Sequence, residues 1–299
     1  MGVVIATRNR PEQLAEAING VLGQDYPGPI HIVVVYDQSR PDVTLARSAG
    51  ARQIRVLANQ RTPGLAGARN TGVLALATDL VGFCDDDDVW RPAKLRRQVA
   101  ALHADPDTFF VTCAMEVEFR SRLTTRLAGR SQVGLADLAR SRMAMLHASS
   151  FLIRRRCLVD GYLGLVAEEA PGGQNEDWDL LLRAARQAPI VHIDEPLVRV
   201  RWGPNSLFAY EYASKIESLR WMLRRHPEIA ANRLGAGRVY GQLACWAAAS
   251  GNRRQAWRWA IRAVRHNWHE PRVAVALAAV AGVQVEHVVS ALHRHGRGI

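Results

Sequence analysis

Short apolar runs alternate with amphipathic segments through the first hundred residues of the chain. The runs at 2–6, 30–36 and 80–84 each end in polar residues and are typical of strands buried on both faces of a sheet. The segments 11–22 and 66–77 repeat apolar residues every three or four positions, as amphipathic helices do. This alternation predicts an α/β fold with a mainly parallel sheet and helices on both faces.

Weaker signals continue the same pattern. A short apolar run at 54–57 predicts a further strand, and the segment 92–103 begins with a proline and predicts a helix. In the middle of the chain, 109–119 and 149–153 are predicted strands, whereas 177–188 is a predicted helix. Ligands of open α/β sheets bind at the carboxyl ends of the strands, so we expect the functional residues there.

The pattern beyond residue 208 is helical throughout. The predicted helices span 211–225, 236–250, 253–266, 272–281 and 284–293. Ala256, Ala260 and Ala263 recur on one face of the third helix, which is typical of packed helical hairpins. The segment 209–299 contains 14 Lys and Arg against 5 Asp and Glu, so it carries +9 of the net charge of +11. We therefore predict two domains, 1–208 and a basic helical domain at 209–299.

Composition excludes several classes of protein. With 299 residues, 48% of them hydrophobic, the chain is large enough to bury a core without disulfides. The longest apolar run, 273–283, is shorter than the roughly 20 residues that a membrane span needs. No basic stretch followed by a long apolar core begins the chain, so we expect no signal peptide. Four widely spaced cysteines predict buried, reduced thiols and a cytoplasmic protein.

Four consecutive aspartates, Asp85 to Asp88, follow the predicted strand at 80–84. Side chains of like charge at one strand end repel one another unless a positive charge lies among them. A divalent cation, Mg²⁺ or Mn²⁺, suits such a set of oxygen ligands. A solvated acidic turn that caps the following helix is the alternative, and the aspartate run alone does not decide between the two.

Two further segments carry candidate chemistry. The glycine-rich stretch 64–72 lets the backbone approach a phosphate or a base, and its Arg69 is suited to pair with an anionic oxygen. A loop followed by a helix cap explains the same stretch equally simply. Glu176 and Asp177 form a like-charge pair at a helix start, which raises the pKa of one carboxylate toward that of a useful base. Favourable placement of acids at a helix N-terminus is the simpler explanation of that pair alone.

Taken in order, five segments resemble glycosyltransferase family 2 of the GT-A type over about residues 2–208. They are VVIATRNRP (3–11), IVVVYDQS (32–39), GARNTG (67–72), FCDDDDVW (83–90) and EDWDL (176–180). The resemblance implies a GT-A fold, here with an all-α C-terminal extension. It also implies a nucleotide-sugar donor, a divalent metal and inversion at the anomeric carbon.

The resemblance assigns roles to individual residues. Those expected around the nucleotide sugar are Thr7, Asn9, Asp37, Arg69, Asp85 and Asp86. Asp87 is the expected ligand of Mg²⁺ or Mn²⁺, and Asp177 matches the acidic residue that deprotonates the acceptor. Nucleotide-sugar binding is expected in 1–105 and the acceptor side in 106–208.

The sequence departs from the family pattern at two places. Tyr36 precedes Asp37 where the family often has a second aspartate, so the nucleotide is open among UDP, dTDP and GDP, with UDP favoured. Val198 occupies the glutamine position of the QxxRW element of processive members, which predicts transfer of a single sugar. The acceptor is undetermined and is a glycan, a lipid-linked sugar, a peptide or a small molecule. The segment 166–175 is expected to close over the donor.

Tryptophans and arginines interleave in the C-terminal helices. Arg254, Arg258, Arg262 and Arg265 recur at steps of three or four and form one basic face. Three interpretations remain open. The face is solvated over a tryptophan-rich core, binds an anionic membrane surface that bears the acceptor, or docks an anionic or peptide acceptor.

The rival functions belong to other classes of protein. A sequence pI near 10.3 is compatible with nucleic-acid binding. The basic charge is concentrated outside the α/β part and no nucleic-acid motif is present, so we expect no nucleic-acid partner. A non-catalytic module that binds an anionic ligand through its basic C-terminal helices is the other alternative. The presence of Asp87 and Asp177 favours an enzyme.

Overall fold

The computed structural model describes residues 1–48, 50–119, 122–202 and 211–281. Its strands are β1 (Gly2–Thr7), β2 (Ile30–Tyr36), β3 (Arg52–Ala58), β4 (Leu80–Asp85), β5 (Val89–Trp90), β6 (Phe110–Phe119), β7 (Arg122–Arg126), β8 (Gln132–Val133), β9 (Leu152–Arg154) and β10 (Ile190–Arg201). Its helices are α1 (Pro11–Leu22), α2 (Leu65–Ala75), α3 (Lys94–Ala104), α4 (Leu135–Arg140), α5 (Arg155–Val159), α6 (Glu176–Ala185), α7 (Tyr212–Arg225), α8 (Pro227–Ala231), α9 (Arg233–Ala249), α10 (Arg253–His266) and α11 (Pro271–Val280).

The strands form one mixed sheet in the order β3-β2-β1-β4-β9-β6-β10-β5, with β7 beside β6 and β8 beside β10. The predicted parallel arrangement is confirmed for β3, β2, β1 and β4. Strand β9 enters antiparallel between β4 and β6, which the apolar pattern did not predict. The strands β1 and β4 are neighbours although two helices, α1 and α2, and two strands, β2 and β3, separate them in sequence. Their carboxyl ends therefore meet, as the site requires.

Both faces of the sheet are covered by helices, as predicted. Alternate residues of β1 point to opposite faces: Val4 lies in one hydrophobic cluster, and Val3 and Ile5 lie in the other. Helices α1 and α3 cover the face of Val3 and Ile5, whereas α2, α5 and α6 cover the face of Val4. The strands β1, β2 and β4 can be continuous apolar runs because both of their faces are buried.

The C-terminal helices pack on the α/β part. Leu219 of α7 and Leu243 of α9 belong to the same buried cluster as Trp178 of α6. Helix α9 approaches α4 closely, because a Cβ on Gly235 would lie 2.0 Å from the carbonyl oxygen of Ala139. Four of the predicted C-terminal helices are confirmed as α7, α9, α10 and α11, and the predicted helix 284–293 lies outside the described residues.

Two further sequence predictions can be compared with the fold. Cys84, Cys113, Cys157 and Cys245 are buried and free, as expected of reduced thiols. Among the helices of the described residues, none combines the length and the apolar character that crossing a bilayer requires.

Candidate active site

A cavity of about 1080 Å³ lies at the carboxyl ends of the central parallel strands. The sheet register creates it, because Ala6 of β1 pairs with Asp85 of β4 and Thr7 pairs with Tyr36 of β2. The residues that follow these strands consequently come together, although they are far apart in sequence. The predicted site residues that line the cavity are Thr7, Asp37, Asp85, Asp86 and Asp87.

Asp37 presents an ionised carboxylate to the cavity wall. Its Oδ1 accepts hydrogen bonds from Asn59 Nδ2 at 2.8 Å and from the backbone N–H of Gly64 at 3.0 Å. Its Oδ2 accepts from Gln38 Nε2 at 2.8 Å. Burial by itself raises the pKa of Asp37, but these hydrogen bonds outweigh it and hold the pKa below the ordinary value. The loop between β3 and α2 is thereby tied to the end of β2.

Three cationic side chains, Arg10, His147 and Arg69, pair with the aspartate run. Arg10 donates to Asp86 Oδ1 at 3.0 Å and to Asp87 Oδ2 at 2.7 Å, and Asp86 also accepts from Thr7 Oγ1 at 2.8 Å. His147 lies between the other two carboxylates, with Nδ1 3.3 Å from Asp88 and Nε2 3.7 Å from Asp85. The arrangement reduces the mutual repulsion that the sequence suggested.

The electrostatics of the run still favour a bound cation. Burial, followed by the carboxylates of Asp88 and Asp85, raises the pKa of Asp87 to about 7 despite the ion pair with Arg10. Burial lowers the pKa of His147, but Asp88 and Asp85 outweigh it and raise that pKa to about 9. Ligand atoms of Asp85, Asp88 and His147 lie within 4.8 Å of one another. The two carboxylates suit Mg²⁺ or Mn²⁺, whereas His147 can join them as a ligand only after it loses its proton.

A second charged cluster lies at the start of α6. Asp177 is buried, and both of its carboxylate oxygens accept from Arg142, at 3.0 and 2.8 Å. Burial raises the pKa of Asp177, but Arg142, His147 and Arg69 outweigh it and the pKa falls below its ordinary value. Glu176 is the member of this like-charge pair whose pKa is raised, because burial and the charge of Asp177 both disfavour its ionised form. Asp177 therefore has the lower pKa of the pair and is ionised at neutral pH.

The comparisons with known proteins identify the family. The sequence model of glycosyl transferase family 2 matches residues 2–160, more than half of the chain. The chain belongs to this family. Among curated relatives, an uncharacterized glycosyltransferase of Nostoc sp. is 37% identical over 103 residues, which are 33% of this chain and 31% of that protein.

A second relative has a named reaction. The UDP-Glc:alpha-D-GlcNAc-diphosphoundecaprenol beta-1,3-glucosyltransferase WfgD of Escherichia coli is 26% identical over 102 residues, 34% of this chain and 40% of WfgD. The chain thus spans about a third of the length of the curated relatives it matches.

Solved structures show the same fold. TarS 1–349 of S. aureus in complex with UDP-GlcNAc matches with a TM-score of 0.59 and 17% identity, over 99% of this chain and 92% of that one. The mannosyltransferase PcManGT from Pyrobaculum calidifontis, in complex with GDP-Man and Mn²⁺, matches with a TM-score of 0.56 and 19% identity. The match covers 94% of this chain and 85% of PcManGT. At these identities the likeness establishes the GT-A fold.

Three residues assigned by the family resemblance lie outside the cavity lining. Asn9 is exposed and adopts a positive φ of 54°, and it is the neighbouring Arg8 and Arg10 that line the cavity. Arg69 is buried beneath the cavity, where it donates to Asp85 at 2.5 Å and to Glu176 at 2.7 Å. It therefore joins the aspartate run to α6. Asp177 reaches the cavity through Arg142, which is itself a lining residue.

Sequence reasoning missed three charged residues of the family 2 site. Arg10, Arg142 and His147 pair with carboxylates 35 to 77 positions away in the chain. Arg10 lies within the segment VVIATRNRP, which does not indicate the carboxylates it pairs with. Arg142 and His147 lie in no motif, because their contacts depend on how the segment after β8 folds over the strand ends. For His147, its position two residues before Ser149 is the only hint in the sequence. Ser149 donates to Asp88 at 2.5 Å and so brings His147 to the aspartates.

The segment 166–175, expected to close over the donor, is held at both ends. Asn70 bonds Val166 reciprocally, its Nδ2 donating to the carbonyl at 2.9 Å and its Oδ1 accepting from the N–H at 3.0 Å. At the other end, Ser218 of α7 accepts from Asn175 and donates to the carbonyl of Gln174. Gly172 and Gly173 between these anchors line the cavity and have positive φ. Any closure is thereby confined to the middle of the segment.

Proposed function

We propose that this chain is an inverting, metal-dependent glycosyltransferase that moves a single sugar from a nucleoside-diphosphate sugar, with UDP favoured, to an acceptor hydroxyl. One arrangement carries the proposal. A cavity lined by Asp37 and the aspartates 85–87 adjoins a buried, ionised carboxylate, Asp177, that is held by a cavity-lining arginine. The nucleotide-sugar side is 1–105 and the acceptor side is 106–208.

The donor site is assigned to the residues at the strand ends. A cavity of about 1080 Å³ has room for a nucleotide sugar and part of an acceptor. In this proposal Thr7, Asp37, Asp85 and Asp86 face the nucleotide, with Asp85 and Asp86 nearer its ribose. Arg69 acts through Asp85 and Glu176, and Asn9 shapes the turn that presents Arg8 and Arg10. The UDP-GlcNAc and GDP-Man complexes of the structural relatives support a nucleotide-sugar donor.

The donor set at the aspartates fits a divalent cation, Mg²⁺ or Mn²⁺. The four aspartates exceed the three cations that pair with them, and burial together with the neighbouring carboxylates of Asp88 and Asp85 raises the pKa of Asp87. We assign Asp87 as the principal ligand, with Asp85 beside it. A bound divalent cation supplies neutralisation of the charge that develops on the diphosphate leaving group.

Asp177 is assigned as the general base. Its lowered pKa keeps it ionised at neutral pH, so it can take the proton of the acceptor hydroxyl. The acceptor oxygen then bonds the anomeric carbon as the bond from that carbon to the diphosphate oxygen breaks. The proton ends on Asp177 and the electron pair on the leaving diphosphate. Arg142 must share Asp177 with the acceptor hydroxyl, because it occupies both carboxylate oxygens.

The acceptor is proposed to be a lipid-linked sugar. WfgD acts on a diphosphoundecaprenol-linked sugar, as its name states, and it is a relative of this chain. Val198 in place of glutamine supports addition of one sugar rather than polymerisation. The four buried, free cysteines support a reducing compartment, so we place the enzyme in the cytoplasm.

The decisive experiment is calorimetric titration of UDP, dTDP and GDP with and without Mn²⁺. We expect metal-dependent binding of UDP to the wild type, loss of that binding in Asp87→Ala, and retention in Asp107→Ala, which removes an exposed aspartate. Asp177→Asn is expected to bind UDP normally but to lose about 10²–10⁴-fold in turnover. Binding of no nucleotide by the wild type would overturn the proposal. So would full turnover by Asp177→Asn.

A further inference from the structure

Helix α10 carries apolar side chains on the face turned away from the protein. Trp257, Ile261 and Val264 are 52%, 48% and 43% exposed, and they recur at steps of four and three. At 3.6 residues per turn these three side chains form one stripe along the helix. Trp268, in the turn that follows the helix, is 76% exposed. Contiguous exposed apolar side chains of this size mark an interaction surface.

Arginines border the stripe. Arg254, Arg258 and Arg265 follow it on one side of the helix, roughly 60–100° around the axis from Trp257, and Arg253 lies on the other side. These four arginines are exposed, and none forms an ion pair with a carboxylate of residues 1–48, 50–119, 122–202 or 211–281. Helix α10 itself contains no acidic residue. The surface therefore combines apolar side chains with cations that no described carboxylate neutralises.

The opposite face of α10 fixes the helix to the rest of the molecule. Ala256, Ala260 and Ala263 are buried against α9 and α11, where their small side chains allow close packing. Trp257 lies on the outside of the helix and the alanines lie inside, so the exposed face of α10 is apolar as well as basic. Trp259 is the tryptophan that packs inward, with Arg262 over its ring at 4.9 Å.

We propose that this stripe and its bordering arginines dock the protein on an anionic lipid bilayer, with α10 in the plane of the interface. Tryptophan prefers the boundary between headgroups and acyl chains, and aliphatic side chains enter the acyl region. Arginines beside them meet anionic headgroups. The phosphates of a nucleic acid would pair with the arginines but would leave Ile261 and Val264 without an apolar partner. An anionic bilayer offers headgroup charges to the arginines and acyl chains to the apolar side chains.

Co-sedimentation with vesicles tests the docking surface on the full chain. We expect strong binding to phosphatidylcholine vesicles that contain phosphatidylglycerol and weak binding to phosphatidylcholine alone. The double variants Trp257→Ala/Ile261→Ala and Arg254→Ala/Arg258→Ala should each weaken binding to the anionic vesicles at least tenfold. Matched controls are Val43→Ala/Leu123→Ala and Arg220→Ala/Arg224→Ala, which alter equally exposed side chains elsewhere and should bind like the wild type.

Each other outcome contradicts the docking surface. Equal binding to neutral and anionic vesicles, or wild-type binding by both α10 variants, would overturn it. A dimer seen by analytical ultracentrifugation and abolished by Trp257→Ala/Ile261→Ala would assign the stripe to a contact between copies instead. Calorimetric UDP titration of the same proteins separates this proposal from the proposed function. Loss of vesicle binding with UDP binding retained supports the bilayer surface alone, whatever the transfer chemistry is.

Discussion

Gly67 shows how a single missing side chain shapes the donor site. It lies in the first turn of α2, and a Cβ there would lie 1.9 Å from the carbonyl oxygen of Thr62, a cavity-lining residue. Gly72 lies one and a half turns later and faces Val4 instead. A Cβ on Gly72 would lie 2.4 Å from Cγ1 of Val4. Both positions exclude a methyl group, but only the first does so against the loop of the candidate site.

We expect Gly67→Ala to displace that loop and weaken UDP binding about tenfold, with a loss of roughly 1–3 kcal/mol in the free energy of unfolding. Gly72→Ala overpacks the core beside Val4 and should lose similar stability with UDP affinity unchanged. Urea unfolding and calorimetry on the two variants measure both quantities. Equal UDP affinity in both would show that the Thr62 loop does not contact the donor.

Arg142 is the residue that sets the protonation of the proposed base. Asp177 faces Arg142, His147, Arg69 and Glu176, and the arginine at 2.8 Å is the largest charge that lowers its pKa. Removing this arginine raises the pKa of Asp177, so the base is protonated at a higher pH. The acid limb of the kcat profile in Arg142→Ala should therefore move to higher pH than in the wild type.

Arg142→Lys keeps the charge without the two-oxygen geometry and serves as the control. Its acid limb should move less than that of Arg142→Ala, while its kcat at the plateau falls. If both variants keep the acid limb of the wild type, the base is a carboxylate other than Asp177.

At the scale of elements, α6 is joined to α7 and α8 by a buried charge network. Asp179 Oδ1 is 2.9 Å from Nε2 of His226 and accepts from Arg225 at 2.6 Å, while its Oδ2 accepts from Arg183 at 2.8 Å. Arg186 lies 2.7 Å from Nδ1 of His226. A guanidinium only donates, so the imidazole proton is on Nε2 and points at Asp179. The network therefore fixes the helix that carries Asp177.

This network makes stability depend on acid. Burial raises the pKa of Asp179, but His226, Arg183 and Arg225 outweigh it and lower the pKa to about 2. The unfolded carboxyl titrates near 3.9, so the stabilisation is complete above about pH 4 and is lost as the pH falls toward 2. Asp179→Asn should be less stable than the wild type by roughly 2–3 kcal/mol at neutral pH, and the difference should shrink below about pH 4.

Urea unfolding of both proteins at several pH values measures this difference. Asp107→Asn, which changes an exposed aspartate, should show no comparable difference. If the difference in the free energy of unfolding between Asp179→Asn and the wild type does not vary with pH, the substitution destabilises the protein through lost hydrogen bonds rather than through lost charge.

At the scale of the whole molecule, the C-terminal helices share the core of the catalytic part. Met222 of α7, Ile229 of α8 and Val239 of α9 lie in one buried cluster with Leu138 and Leu181. The boundary predicted at residue 208 marks a change in composition and charge, and the division into two folding units stays a prediction. The shared cluster favours a single folding unit that includes α7 to α9.

We expect the full chain to unfold in one cooperative transition and the fragment 1–208 to fail to fold, because removal of α7–α9 exposes that cluster. Far-ultraviolet circular dichroism and intrinsic tryptophan fluorescence should report the same midpoint. Two separated transitions, or a 1–208 fragment that binds UDP, would instead establish independent domains.

Prediction from sequence succeeded where local pattern reflects local structure. The apolar runs of β1, β2 and β4 were recognisable because both faces of these strands are buried, and the aspartate run marked the end of β4. The two-residue strands β5 and β8 were not predicted, since they are too short to show a period. Arg10 and His147 were missed because their carboxylate partners lie 59 to 77 positions away.

The amino-acid sequence by itself determined the α/β alternation, the family and the carboxylates on which the proposed chemistry depends, because these reside in local runs of residues. The tertiary structure decided how those carboxylates are paired. It set Asp177 against Arg142, paired the aspartates with Arg10, His147 and Arg69, and placed Arg69 beneath the cavity rather than in its wall. It also turned Trp257 outward and the alanines of α10 inward. Charge pairing and burial depend on distances between segments remote in the chain, and packing alone establishes those distances.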